Sequence, residues 1–344
     1  MKYSFLNDYS EGAHPKVLEA LVNSNMSQQT PYGDDEYSER AKELIKNKIG
    51  DSNSNIFFVS GGTQANLIII SAVLKPHESV ISANTGHITL REAGAIEATG
   101  HKIHSVVSTD GKLTKEDINI VLKEHDFGAH VVKPKMVYIS NATEIGTIYS
   151  KTELGELSSF CKANDLYLFL DGARLASALT SSENDMTLTD IAKLTDVFTI
   201  GGTKNGALIG EAIVIQNEKI KKDFPFHIKQ RGAMLSKGRV LGVQFLELFK
   251  NDLLFHLAKH SNVMATKLSK AIEANGFRLS SESSTNQLFP ILPNSLIEKL
   301  ESKFDFYKWG KIDGNFMVLR LVTSWATQEN KVDEFIAELN NHKL

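Results

Sequence analysis

Between residues 56 and 216 the chain repeats one pattern. A short apolar run is followed by a polar turn, and the turn by a stretch with apolar residues at helical spacing. The runs at residues 56–59, 79–83, 102–107, 136–140, 166–170 and 197–200 predict strands. Residues 63–74, 87–99, 115–123 and 154–163 predict the helices between them. Alternation of this kind predicts an α/β fold: a mostly parallel sheet with helices on both faces. The run 166–170 is continuously apolar, as expected of a strand buried on both faces.

The flanks read differently. Residues 1–30 form an N-terminal arm with a short helix at 15–21, and a polar turn at 31–35 leads into a helix over 36–49. Past Gln216 a long helical region runs through 239–250 to about 274. It is followed by short strands at 287–292 and 316–322 and by helices near 295–303 and 328–339. The expected organisation is an arm (1–30), a large domain (31–240) and a smaller α+β C-terminal domain (241–344).

Composition narrows the class. The 344 residues are 42% hydrophobic with a formal net charge of −3, an ordinary globular balance that favours neither nucleic acid nor an anionic membrane. The single cysteine, Cys161, excludes an intramolecular disulfide and any cysteine-built zinc site, and its helical setting reads as a buried thiol. No His/carboxylate cluster has convincing ligand spacing, so no catalytic metal is expected. The first residues lack an apolar signal core and no run is long enough for a bilayer, so a cytoplasmic protein is expected.

Candidate chemistry lies where the strands end. In a parallel sheet, ligands bind outside the carboxyl ends of the strands. That rule gathers residues 61–63, 84–87, 141–144, 171–174 and 201–204 around one crevice. Ser60-Gly61-Gly62-Thr63-Gln64, between a strand and a helix, suits either an anion or a plain turn with Thr63 as helix cap. The nucleotide fingerprints are absent. Asp171, followed by the conformationally permissive Gly172, ends one strand. Lys204 follows another across Gly201-Gly202-Thr203. A buried lysine has a lowered pKa and, unprotonated, can form a Schiff base with a carbonyl; on the surface it would be an ordinary cation. An acid and a lysine delivered together suit pyridoxal phosphate, the acid at the pyridine nitrogen and the lysine at the aldehyde.

With these residues in place the chain resembles the threonine aldolase family, within the aspartate-aminotransferase-like (fold type I) pyridoxal-phosphate enzymes. The resemblance rests on Tyr32-Gly33-Asp34-Asp35, Gly62-Thr63-Gln64-Ala65-Asn66, His87 with Glu92-Ala93-Gly94, and Asp171-Gly172-Ala173-Arg174. It continues through Thr203-Lys204, Ser236-Lys237-Gly238-Arg239, Thr285-Asn286 and Arg320-Leu321-Val322-Thr323. It implies retro-aldol cleavage of L-threonine, L-allo-threonine or related β-hydroxy-α-amino acids to glycine and an aldehyde. Lys204 would carry the cofactor, Asp171 would pair with its ring nitrogen, and His87 would lie against its face. Gly62 and Thr63 would hold the phosphate with help from Thr203. Arg174 and Arg320 would clamp the substrate carboxylate. Asn7 takes the place of a serine that touches that carboxylate. Lys229 and Arg231 would reach the phosphate from a neighbouring subunit, and Tyr32 could also cross over, in a homodimer or homotetramer with shared sites.

Each residue also has a structural reading: His87 as a helix cap, Arg174 paired with Asp171, Arg320 with a partner of its own, Asn7 in a turn. Phe224, Phe226 and Met234 read as packing or interface residues, and residues 218–223 as a solvated helix end. One departure concerns the chemistry. Where many family members carry Glu-Asn-Thr-His-Asn-Gly, this chain has Asn141-Ala142-Thr143-Glu144-Ile145-Gly146. Glu144 replaces the histidine near the substrate hydroxyl, and either it or a water held by His87 would serve as base. The alternatives are another pyridoxal-phosphate lyase, of the β-eliminating type, and a catalytically silent relative acting as a binding protein.

Overall fold

The computed structural model describes residues 2–342. After a two-residue strand β1 (Tyr3–Ser4) come the strands of the central sheet. They are β2 (Asn55–Val59), β3 (Glu78–Ala83), β4 (Ile103–Val106), β5 (Lys133–Ser140), β6 (Tyr167–Asp171), β7 (Val197–Gly201) and β8 (Glu211–Ile215). Their order across the sheet is β2-β8-β7-β6-β5-β3-β4. Strands β3 to β7 pair in parallel; β8 runs antiparallel to both β2 and β7. No crossover helix separates β7 from β8, so β8 escapes an alternation reading.

Successive residues of a strand face opposite sides of a sheet, and both sides here are buried. On β6, Leu168 and Leu170 enter one hydrophobic core and Phe169 the other. The first core is covered by helices including Glu36–Ile49, Lys151–Ala163 and Arg239–Phe249, the second mainly by Gly62–Val73 and Phe224–Gln230. A third core lies between the helices Leu253–Ala274 and Glu329–Asn340 and a C-terminal antiparallel sheet. That sheet holds β9 (Arg278–Leu279), β10 (Gln287–Leu288), β11 (Pro290–Pro293), β13 (Tyr307–Lys311) and β14 (Phe316–Val322). Strand β12 (Phe304–Asp305) pairs with β1, and Phe5 packs against both Phe304 and Phe335, so the N-terminal arm is anchored on this part. No helix among the described residues is long and apolar enough to cross a membrane.

Four local expectations change. The helix expected over 87–99 is only His87–Leu90 and a 3-10 turn at Glu97–Thr99, because Ala93 (φ 51°) and Gly94 (φ 76°) sit in left-handed conformations between them. The long helical region breaks at Asn251 and Asp252, both with positive φ. The strand expected over 287–292 splits into β10 and β11, which pair with β14 at separate places. Thr63 is not the helix cap: the helix begins at Gly62, with Gly61 as N-cap and no side chain bonding the free N–H groups.

The ends of β6 and β7 approach unusually closely. A Cβ on Gly172 would lie 1.8 Å from the Thr199 carbonyl oxygen, and one on Gly201 would lie 2.3 Å from that of Ala173. Neither glycine has a positive φ, so contact, not backbone freedom, requires glycine at 172. The junction is stitched by the Gly172 N–H to Thr199 Oγ1 (2.8 Å) and the Gly201 N–H to the Gly172 carbonyl (3.0 Å). Gly172→Ala is expected to cost at least the ~1–3 kcal/mol of ordinary overpacking, measured by denaturant unfolding. Wild-type stability in that variant would show that the strands have room to part.

Candidate active site

A cleft of about 820 Å³ opens at the carboxyl ends of β2, β5, β6 and β7. Its floor and walls carry Gly62, Thr63, His87, Glu144, Asp171, Arg174, Thr203, Lys204 and Arg320, nine of the residues singled out in the sequence. Asn7, Tyr32, Lys229 and Arg231 are outside the lining. Asn7 Oδ1 accepts from the Tyr9 N–H (2.9 Å) and the Ser10 hydroxyl (3.0 Å), holding the turn that carries Asp8 and Tyr9 inward. Tyr32 is half exposed, with Lys229 Nζ 4.7 Å from its ring centre, and Arg231 lies exposed at the end of the helix Phe224–Gln230.

Asp171 ends β6 and is buried, with three donors on it. Oδ2 accepts from the Tyr138 hydroxyl (2.6 Å) and Asn66 Nδ2 (3.0 Å), and Oδ1 from the Ala173 N–H (2.9 Å). Burial alone would raise its pKa, but these donors and the His87 ring together hold it below the usual carboxylate range. The cleft floor therefore carries a fixed negative charge.

Lys204 stands on the 3-10 turn after β7, and that turn is sewn to the start of β8. The N–H groups of Gly202 and Thr203 both donate to the Gly210 carbonyl, and the Gly210 N–H donates to Thr203 Oγ1. Burial lowers the Lys204 pKa, and the Arg174 charge lowers it further against the pull of Asp8, Asp171 and Glu211. An amine with a weakened hold on its proton is a nucleophile.

His87 is fixed from both ends. Its backbone N–H donates to Glu144 Oε1 (2.8 Å), while its Nδ1 meets Glu92 Oε1 (2.8 Å). Glu92 is an acceptor, so Nδ1 carries a proton and donates it to this contact. Asn66 Nδ2 also donates to Glu92 Oε1 (2.7 Å), which joins His87, Glu92, Asn66 and Asp171 in one chain of hydrogen bonds. Burial raises the Glu144 carboxyl; the Ser140 hydroxyl on Oε1 (2.7 Å) opposes the rise and the Asp171 charge adds to it. Its hydrogen bonds all fall on Oε1, so Oε2 makes none among the described residues, and the residue lines the cleft.

The two arginines each have one edge engaged. Asp8, fully buried, takes Arg174 in two-point fashion, Nε to Oδ2 at 2.7 Å and Nη2 to Oδ1 at 2.9 Å. The partner of Arg174 is thus Asp8 and not Asp171. Gln287 Oε1 accepts from Arg320 Nη2 (2.7 Å) and Nε (3.3 Å), and the Arg320 guanidinium lies over the Trp309 ring at 5.5 Å. Burial, with Arg174 nearby, lowers the Arg320 pKa to about 10. These contacts fix both planes, and Nη1 of each arginine makes no hydrogen bond among the described residues.

The residues fit pyridoxal phosphate by the chemistry of their groups. The Gly61-Gly62-Thr63 helix start has N–H groups without a side-chain cap, and the space above both glycines is open, as an anion requires. An anionic acid and a lysine with a lowered pKa face the same cleft. Sequence reading passed over Asp8, Tyr138, Glu211, Gln287 and Trp309. Glu211 alone left a signal, a single acid at the head of an apolar strand. Asn66 and Glu92 stood inside motifs already singled out but had no assigned role.

Residues 5–294 match the model of the family described as Beta-eliminating lyase. The chain is 33% identical to the low specificity L-threonine aldolase of Pseudomonas sp. (strain NCIMB 10558), covering 97% of this chain and 96% of that protein. It is 31% identical to the low specificity L-threonine aldolase of Pseudomonas aeruginosa, with the same coverage. A solved structure of Leishmania major threonine aldolase superposes with a TM-score of 0.97 at 49% identity, over 98% of both chains. An aspartate aminotransferase from Thermus thermophilus shares the fold at a TM-score of 0.72 and 15% identity, over 98% of this chain and 90% of that one.

The Asp8–Arg174 pair supports a prediction on stability. The pair draws the Asp8 pKa down to about 2 from its ordinary 3.8, in spite of burial. A carboxyl with a depressed folded pKa stabilises the fold above its unfolded pKa. That stability drains as pH falls from about 4 toward 2. Asp8→Ala strands the Arg174 charge and is expected to cost ~3–5 kcal/mol at neutral pH in urea titrations. A loss below about 1 kcal/mol would mean that the pair is replaceable by solvent.

Proposed function

The chain belongs to the Beta-eliminating lyase family, and from there we propose that it is a pyridoxal-phosphate-dependent aldolase. It cleaves L-threonine, L-allo-threonine and related β-hydroxy-α-amino acids to glycine and an aldehyde. The supporting observation is that one cleft holds Lys204 and Asp171 together, beside a helix start with free N–H groups. The cofactor, when bound, supplies an electron sink for the carbon released by bond cleavage.

This chain's residues supply the rest. Gly62, Thr63 and Thr203 would hold the phosphate. Asp171, anionic on its three donors, would keep a proton on the ring nitrogen. Lys204, its hold on its proton weakened by burial, would hold the cofactor at its aldehyde. His87, oriented by Glu92, would lie against the ring. Arg320, set by Gln287 and Trp309, holds the substrate carboxylate, and Arg174, fixed by Asp8, completes the clamp with its free Nη1. Glu144 takes the β-hydroxyl proton on Oε2, because burial brings its carboxyl toward the range where a general base works at neutral pH. Asn7 supports the carboxylate site through the turn at Asp8. Tyr32, Lys229 and Arg231 serve the cleft of a second copy in a homodimer or homotetramer, which their exposed positions permit.

Purified protein with added cofactor is expected to release glycine and acetaldehyde from L-threonine. Pyruvate from serine or cysteine, with no aldehyde from threonine, would assign the β-eliminating chemistry instead. Lys204→Ala should bring turnover to background, and retention of turnover would remove Lys204 from the mechanism. Arg320→Ala should raise KM about 10- to 100-fold with a smaller effect on kcat, since the carboxylate contact exists in ground and transition states alike. Unchanged KM would return Arg320 to a structural role.

A further inference from the structure

Glu211 is a buried acid that the mechanism above does not use. It opens β8, lines the cleft, is 3% exposed, and its Oε1 has no hydrogen-bond partner among the described residues. Strand register places it opposite Gly201 on one side and Val59 on the other. Gly210, its immediate neighbour, makes the three hydrogen bonds that anchor the Thr203-Lys204 turn, accepting two on its carbonyl and donating one from its N–H. A buried carboxyl with one oxygen unpartnered is costly unless something in the site exchanges a proton or a charge with it.

We propose that Glu211 is the proton partner of Lys204, taking the proton that the amine must lose before it attacks a carbonyl and returning it as the new bond forms. This rests on the pyridoxal-phosphate reading above. The proton balance is closed. The Lys204 ammonium gives one proton to the Glu211 carboxylate across the cleft they both line, by way of a bridging water, and the free amine adds to the aldehyde carbon. A second nitrogen proton passes to the former carbonyl oxygen. Glu211 then protonates that hydroxyl, which leaves as water, and the nitrogen keeps its last proton. No proton is gained or lost overall, so the exchange can run in a cleft closed to solvent.

The electrostatic setting agrees. The charged groups around the pair are Asp171 from β6, Arg174 beyond it and Asp8 from the N-terminal turn. Burial and the Asp171 charge raise Glu211 to about 8, against Lys204 and a Thr199 hydrogen bond that lower it. Lys204 moves the opposite way, so acid and amine converge toward comparable proton affinity.

The test uses the full chain freed of cofactor. The rate at which the visible lysine Schiff-base band appears on adding pyridoxal phosphate is followed against pH, for wild type, Glu211→Gln and Glu211→Asp. Glutamine removes the carboxylate that stabilises the ammonium, so the pH midpoint should move down by about one unit or more. Aspartate should restore most of the shift. Superimposable profiles for wild type and Glu211→Gln would overturn the proposal. The wild type gives a second measurement that needs no variant. An infrared difference spectrum across about pH 8 should show a protonated buried carboxyl being lost, and absence of that signal would also overturn it. If the wild type forms no band at any pH, the cofactor reading itself fails, a result distinct from failure of the Glu211 assignment.

Discussion

The close seating of β6 against β7 is the constraint on which the site depends. Gly172 and Gly201 allow the two strand ends to approach within distances that no Cβ could occupy. Asp171 precedes the first glycine and Lys204 follows the second by three residues, so the same contact that closes the sheet sets the acid–amine separation. The Thr199 hydroxyl binds the Gly172 N–H at this junction, and β8 anchors the lysine turn from the far side.

Around that junction the cleft handles charge unevenly. Asp171 has three donors and stays ionised, whereas Glu144 and Glu211 are pushed up by burial. Acids in one pocket thus hold different proton affinities, the condition under which carboxyls take separate acid and base roles. The arginines are likewise divided: Asp8 compensates Arg174 fully, while Arg320 leans on a neutral amide and an indole. The less compensated cation is the better receiver for an incoming carboxylate.

Most of the architecture was legible because its signals are local. Apolar runs of four to six residues separated by helical stretches identify a parallel sheet, and the ends of those strands identify the cleft. What was not legible depends on contacts distant in sequence. Asp8 meets Arg174 across 166 positions, and nothing in its surroundings marks it. The Gln287–Arg320 and Asn66–Asp171 contacts are of the same kind. The broken helix after His87 was misjudged because left-handed Ala93 and Gly94 interrupt a stretch whose composition is helical. Gly172 was noticed for its conformational freedom, whereas its function is to leave room for a carbonyl oxygen.

The central claim is that Lys204, facing Asp171, is the residue that carries the cofactor. Incubating the purified chain with pyridoxal phosphate, reducing with borohydride and mapping the peptides would test it most directly. The account predicts one stoichiometric modification, on Lys204, and its loss in Asp171→Ala if the acid holds the ring in place. Modification confined to exposed lysines such as Lys229, with Lys204 unlabelled, would contradict it.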